Sequence, residues 1–266
     1  PFRLPRTVLD REIESLKEIG VKFEKNVVVG KSITLKQLEE EGYNAIFICS
    51  GAGLPKMMGI KGENLNSVYS ANEFLTRVNL MQANSDATPT PLRVGKKAAI
   101  IGGGNVAMDA ARTAVRVGYE EVYIVYRRTE EELPARKEEI RHAKEEGVIF
   151  KLLRAPYEIK EKDGYVDGMV FEVMELGEPD ESGRRRPVGT GTYETMDVDT
   201  VIVALGTGPN PIIQKSCEAD KIDINCDRKG YIVINEKGET SVTNVYAGGD
   251  VAPLGESTAI NAMGAG

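Results

Sequence analysis

Apolar positions along the chain recur with two periods, and the alternation between them predicts the elements. From Thr7 to Ile19 the apolar residues Val8, Leu9, Ile13, Leu16 and Ile19 fall at helical spacing, and Gly20 closes that helix. Lys22 to Val29 reads as a strand. Thr34 is placed to cap a short helix over Leu35 to Glu41, ended by Gly42. Ala45-Ile46-Phe47-Ile48-Cys49 is continuously apolar, as in a strand buried on both faces. Residues 71 to 84 predict a connecting helix, and the polar, Pro-containing stretch from Asn84 to Pro91 a loop.

The next stretch repeats strand and helix in short order. Lys97 to Ile101 is a strand, Val106 to Val117 a helix, Val122 to Tyr126 a strand, Glu130 to Glu146 a charged helix, and Val148 to Leu153 a strand. Tyr157 to Asp199 predicts antiparallel hairpins with a turn over residues 178–183. Val201 to Leu205 is again a buried strand. A strand or two follow from Tyr231, then Val245-Tyr246-Ala247, and a helix is expected to start near Ser257. The alternation gives an α/β class.

Composition narrows the function classes. The 266 residues carry a net charge of -7, which argues against a nucleic-acid partner. No apolar run is long enough to span a membrane, and the opening residues have no signal-peptide pattern. Three cysteines, Cys49, Cys217 and Cys226, form no CxxC pair; they suit a reduced, cytoplasmic setting as buried free thiols, and cannot supply four thiolates to a cluster or zinc. No metal site and no catalytic acid, base or nucleophile is expected; the one histidine, His142, lies in a charged helix.

The chemistry concentrates at Gly102-Gly103-Gly104-Asn105-Val106-Ala107, which joins a predicted strand to a predicted helix. Gly102 permits the tight turn, Gly104 lets the backbone approach a pyrophosphate, and Ala107 lets the helix pack closely on the strand. The helix N-terminus then faces the phosphates. Without that context the glycines would make only a tight structural turn. The strand after the motif ends not in an acid but in Tyr126-Arg127-Arg128-Thr129. Two guanidinium groups there suit a ribose 2′-phosphate, hence NADP(H) rather than NAD(H); the alternative is a solvated arginine pair. Arg136 is a third candidate for the same phosphate.

These residues resemble the two-dinucleotide-binding flavoprotein family, and within it the small (beta) subunit of NADPH-dependent glutamate synthase and related oxidoreductases. The resemblance rests on Pro1-Phe2-Arg3-Leu4-Pro5, Leu9-Asp10-Arg11-Glu12-Ile13, the glycine motif and Tyr126-Arg127-Arg128-Thr129. It extends through Leu133-Pro134-Ala135-Arg136, Ala204-Leu205-Gly206-Thr207-Gly208-Pro209-Asn210 and Val245-Tyr246-Ala247-Gly248-Gly249-Asp250. It implies a Rossmann-like α/β fold with an NADP-binding domain over residues 73–206, inserted between the halves of an incomplete FAD-binding domain at 1–72 and 207–266. It also implies that Gly249 and Asp250 meet FAD, that Ser257, Thr258 and Ala259 open a helix facing its pyrophosphate, and that Gly206 and Thr207 lie in a crossover segment near the cofactors. The function implied is hydride transfer from NADPH to FAD and on to iron–sulfur centres or a larger partner, a glutamate synthase large subunit or a ferredoxin-like protein. A first FAD fingerprint is not found, so the chain is expected to be a piece of a longer enzyme that holds FAD weakly or not at all. Two other classes remain: a nucleotide-binding or docking piece without turnover of its own, and an NAD-linked dehydrogenase, which would need a catalytic acid or base.

Overall fold

The computed structural model describes residues 4–85, 88–179, 183–253 and 259–264. The chain divides into two compact units, Pro55–Thr207 and, from the outer segments, Pro1–Leu54 with Gly208–Gly266. The division falls at 54/55, earlier than the 72/73 boundary expected from the sequence, because Val68–Ser70 is an edge strand of the inner unit's sheet.

That sheet has five strands in the order Val68–Ser70, Thr200–Val203, Lys97–Ile101, Glu121–Tyr126, Ile149–Leu152, and every pair is parallel. Beyond their first residues, Thr200, Lys97 and Glu121, its central strands are apolar because both faces are covered. Ala98, Ile100, Val122, Ile124 and Ile202 point to a layer of helices, where they meet Phe74, Met108, Ala111 and Ile140. The alternate residues, Ala99, Ile101, Tyr123, Val125, Val201 and Val203, meet Ile159, Met169 and Phe171 of a three-stranded antiparallel sheet. The strands of that second sheet are Arg154–Lys162, Tyr165–Pro179 and Arg185–Met196, in that order. They stand where a crossover helix would otherwise lead to Thr200–Val203.

Helix Asn105–Val117 stops at Gly118, which takes φ +105°. It is joined to helix Lys137–Glu145 by a partly buried ion network. Arg112 donates to Glu139 at 3.0 Å and to Glu146 at 2.8 Å, and Arg116 donates to Glu146 at 2.5 Å. The expected single helix over Glu130 to Glu146 is broken. A one-turn 3-10 helix covers Glu130–Glu132, and Leu133 then turns extended, as a residue before proline prefers. The expected helix at 71–84 is α-helical only over Ala71–Leu75, capped by Ser70, and continues as a π-turn over Thr76–Leu80.

In the outer unit Leu35, Ile48, Ile213, Cys217, Val245, Ala247 and Val251 form the core. Helix Leu35–Glu40 opens with a capping box in which Gln37 N donates to Thr34 Oγ1 at 3.2 Å and Thr34 N to the Gln37 side chain at 2.9 Å. Strands Ile46–Ile48 and Val245–Ala247 pair in parallel. Three expectations fail here. Lys22 to Val29 forms no strand, only an isolated bridge between Val29 and Ile33. The strand at 46–48 leaves Phe47 exposed, since among the described residues only one of its faces is covered and only the alternate residues Ile46 and Ile48 reach the core. Cys49, next in the chain, is exposed rather than buried. Helix Arg6–Glu18 forms as expected, yet its apolar residues Val8, Leu9, Ile13 and Leu16 are all exposed.

Candidate functional site

In the parallel sheet the chain runs outward from Lys97–Ile101 in both directions, so the strand order reverses between that strand and Thr200–Val203. Ligands of doubly wound sheets lie in the crevice at the carboxyl ends of such a strand pair. Gly102 and Ala204 follow those two ends. Gly102 N donates to Val125 O at 3.0 Å, and Ala204 N to Ile101 O at 2.8 Å.

The three glycines there serve different needs. Gly102 takes φ +142°, and a Cβ on it would stand 2.3 Å from the Ala204 carbonyl oxygen; the turn itself requires glycine. At Gly103 a Cβ would stand 2.6 Å from the Leu133 side chain and 2.9 Å from the Tyr126 ring, so packing requires it. Gly104 has an ordinary extended backbone, φ -86°, and a Cβ would meet nothing within 4 Å. Neither the fold nor its packing needs glycine at 104. A ligand lying against the backbone would.

Gly104 is the N-cap of helix Asn105–Val117 and supplies no side-chain cap; the first turn holds no acidic residue. The helix end thus presents the positive end of its dipole and amide N–H groups without a carboxylate to answer them. Ala107 is fully buried against the sheet, as its place in the motif requires, while Val106 is exposed.

A second segment is stitched to the glycine turn. Ala135 N donates to Gly103 O at 3.1 Å, and Arg136 N to Asn105 Oδ1 at 3.0 Å. Arg136 is therefore fixed through its backbone beside the helix end, with an exposed side chain. The two arginines after strand Glu121–Tyr126 part company. The Arg127 side chain is exposed and makes no hydrogen bond or ion pair among the described residues. Arg128 is 5% exposed, and its Nε donates to the Arg185 carbonyl at 2.8 Å.

Sequence reasoning missed Arg185. Its Nε donates to Glu132 Oε1 at 2.6 Å, and its Nη2 lies 3.2 Å from Glu131 Oε2. Arg184-Arg185-Arg186 was legible as a basic run in an acidic chain. Its position beside the turn at 130–132 was not, because 52 or more residues separate the two in sequence.

The remaining candidates lie elsewhere. Gly206, at φ +92°, and Thr207 follow strand Thr200–Val203, and Gly206 O accepts from Lys56 N at 3.0 Å. In the outer unit Gly248 N donates to Ile48 O at 3.1 Å. Gly249, at φ +69°, then starts a 3-10 turn over Gly249–Val251 that leaves Asp250 half-buried. Ser257 and Thr258 lie outside the described residues, and Ala259 opens helix Ala259–Gly264. Among the described residues no group of His, Cys, Asp and Glu is arranged to hold a metal, and no helix is long and apolar enough to cross a membrane.

Comparison with known proteins agrees with this architecture. The chain is 38% identical to the NADP(+)-dependent formate dehydrogenase subunit beta of Moorella thermoacetica, over 100% of this chain and 36% of that protein. It is 36% identical to the glutamate synthase [NADPH] small chain of Halomonas elongata, over 94% of this chain and 53% of the relative. The chain thus spans about a third to a half of the length of these curated relatives. Among solved structures, FprA of Mycobacterium tuberculosis in complex with NADPH superposes with a TM-score of 0.74 at 22% identity, over 100% of this chain and 71% of that one. Thioredoxin reductase of T. acidophilum does so with a TM-score of 0.61 at 22% identity, over 83% and 61%. The fold is the two-dinucleotide-binding flavoprotein fold expected from the sequence. The family model of the pyridine nucleotide-disulphide oxidoreductases matches residues 7–266, and the chain belongs to that family.

Proposed function

We propose that the inner unit binds NADP(H) and that the chain is the pyridine-nucleotide part of an NADPH-dependent flavin oxidoreductase of the glutamate synthase small-subunit type. One observation carries the reading. Gly104 is a glycine that neither backbone nor packing requires, at the uncapped end of a 13-residue helix. A pyrophosphate accounts for it, since a Cβ there would occupy the space in which the phosphate oxygens meet the amides. Gly102 and Gly103 shape the turn, and Asn105 and Ala107 fix its neighbours. Arg127 and Arg136 are exposed at either end of the segment 127–136, which supports them as the guanidinium groups that would receive a 2′-phosphate. Arg128, buried on the Arg185 carbonyl, shapes the strand end beneath them.

In the outer unit Gly249 and Asp250, with the helix that begins at 259, are the residues that would meet FAD; Gly206 and Thr207 would border the cofactors in the inner unit. The chemistry these groups supply when bound is hydride transfer from the nicotinamide to the flavin ring. Several relatives are named as subunits, which supports an electron-accepting partner chain or iron–sulfur centres downstream. The residues described here bind and orient; no side chain need take a proton.

The test is a fluorescence titration of the chain with NADPH and NADH. The parent is expected to prefer NADPH, and Arg127→Ala to lose at least tenfold in NADPH affinity while NADH binding holds. Equal losses for both nucleotides would refute the 2′-phosphate role. NADPH binding without dye reduction when FAD is supplied would reduce the reading to a binding piece without turnover.

A further inference from the structure

The turn between the proposed phosphate arginines, Arg127 and Arg136, is acidic: Glu130, Glu131 and Glu132 are consecutive, three residues beyond Arg127 and four before Arg136. Three carboxylates between two phosphate-binding arginines would repel the dianion those arginines are there to bind. In NAD-selective folds a single acid near this position is enough to favour the 2′-hydroxyl. This chain keeps the acids and sets two cations from elsewhere in the inner unit against the three of them. Lys144 lies 2.7 Å from both oxygens of Glu130. Arg185, from the antiparallel sheet, takes the other two, at 2.6 Å to Glu132 and 3.2 Å to Glu131.

Arg185 also gives the turn its shape. Its Nη2 reaches Thr129 Oγ1 at 3.4 Å, and its carbonyl accepts Arg128 Nε at 2.8 Å. Glu132 is 7% exposed and accepts from Thr129 N at 3.1 Å as well as from Arg185. Burial pushes the Glu132 carboxyl up, but the hydrogen bonds from Thr129 and Arg185 outweigh it and hold the group below the ordinary carboxylate range. The side chain is therefore a buried carboxylate held by Thr129 and by one cation, an arginine from a different sheet.

We propose that Arg185 is a specificity-determining positioning residue: by offsetting the charge of Glu131 and Glu132, which share its one guanidinium, it makes the turn beside Arg127 and Arg136 compatible with a 2′-phosphate. This rests on the NADP(H) reading above. It assigns the antiparallel sheet, which replaces a crossover helix, a part in nucleotide choice.

The experiment titrates parent and variants with NADPH and NADH at low and high salt, with melting temperature recorded for each. Arg185→Ala is expected to lower the NADPH-over-NADH preference about tenfold, chiefly through weaker NADPH binding. Arg185→Lys keeps the charge and is expected to keep most of the preference. Adding Glu131→Gln and Glu132→Gln to Arg185→Ala restores it, and salt narrows the gap between Arg185→Ala and the parent; a merely structural role predicts neither. Glu131→Gln alone alters a side chain that is 85% exposed, so it decides the matter should Arg185→Ala not fold: it is expected to tighten NADPH and leave NADH unchanged. An unchanged ratio in a folded Arg185→Ala, an equal loss for both nucleotides, or no effect of Glu131→Gln overturns the proposal. A parent without NADPH preference overturns the reading beneath it instead.

Discussion

Asn105 Oδ1 accepts the backbone N–H of Arg136 at 3.0 Å, across 31 residues of chain. The first residue of the glycine-turn helix thereby sets the position of a guanidinium at the start of the next helix. Asn105→Ala removes the acceptor and leaves the Arg136 amide to water. Calorimetric titration is expected to show NADPH affinity reduced about threefold to tenfold, and thermal unfolding a loss of about 1 kcal/mol, the usual net worth of one such bond. Asn105→Asp keeps the acceptor but adds a negative charge at the helix end, and should bind NADPH worse than Asn105→Ala.

The glycines separate fold from ligand. Gly102→Ala forces a Cβ towards the Ala204 carbonyl at a left-handed φ, and is expected to cost roughly 2 to 4 kcal/mol in chemical denaturation. Gly104→Ala meets nothing within 4 Å and should cost no more than about 1 kcal/mol, the scale of an N-cap change. It should nonetheless weaken NADPH by more than tenfold. If Gly104→Ala binds like the parent, the open space at that position has some other cause.

Glu146 accepts from Arg116 and Arg112, and their hydrogen bonds, outweighing burial, pull its pKa from the ordinary value of 4.5 down to about 2. A carboxyl depressed in the folded state stabilises the fold fully above its ordinary pKa, and that contribution disappears as pH falls from about 4.5 to about 2. Melting temperature should decline across that window in the parent. Glu146→Gln is expected to be about 2 kcal/mol less stable at pH 7, as for a partly exposed pair, to melt at a lower temperature, and to show a shallower decline in acid.

Thiol labelling tests the packing of the outer unit. Burial pushes the Cys217 thiol up to about 11, so it should resist a maleimide at neutral pH in the folded chain. Cys49 is exposed and should react first. Mass spectrometry of the labelled peptides distinguishes the two, and rapid labelling of Cys217 would mean that the core around Ile48 and Val245 opens readily.

Much of the site was legible in sequence because its requirements are local. A strand followed at once by Gly102-Gly103-Gly104 and an amphipathic helix specifies a tight turn with a helix end behind it, whatever else surrounds it. The helix break at Pro134 is equally local, yet the helix-like run of glutamates and lysines from Glu130 to Glu146 masks it. The strand expected over Lys22 to Val29 failed for the opposite reason. Alternation can propose a strand, but a strand forms only where the segment meets a partner edge, and among the described residues Lys22 to Val29 meets none beyond the single bridge of Val29 with Ile33.

The sequence by itself determined the class of fold, the glycine turn and the presence of arginines where an NAD-type acid would stand, since each depends on residues within some 25 positions of one another. The tertiary structure alone decided which arginine is available to a ligand. Arg127 and Arg128 are indistinguishable as neighbours in a chain. They differ because successive residues at a strand end point to opposite sides, and only the side of Arg128 is covered, by Arg185 from the antiparallel sheet. A pairing formed across 57 residues is set by how two sheets stack, and no spacing along the chain announces it.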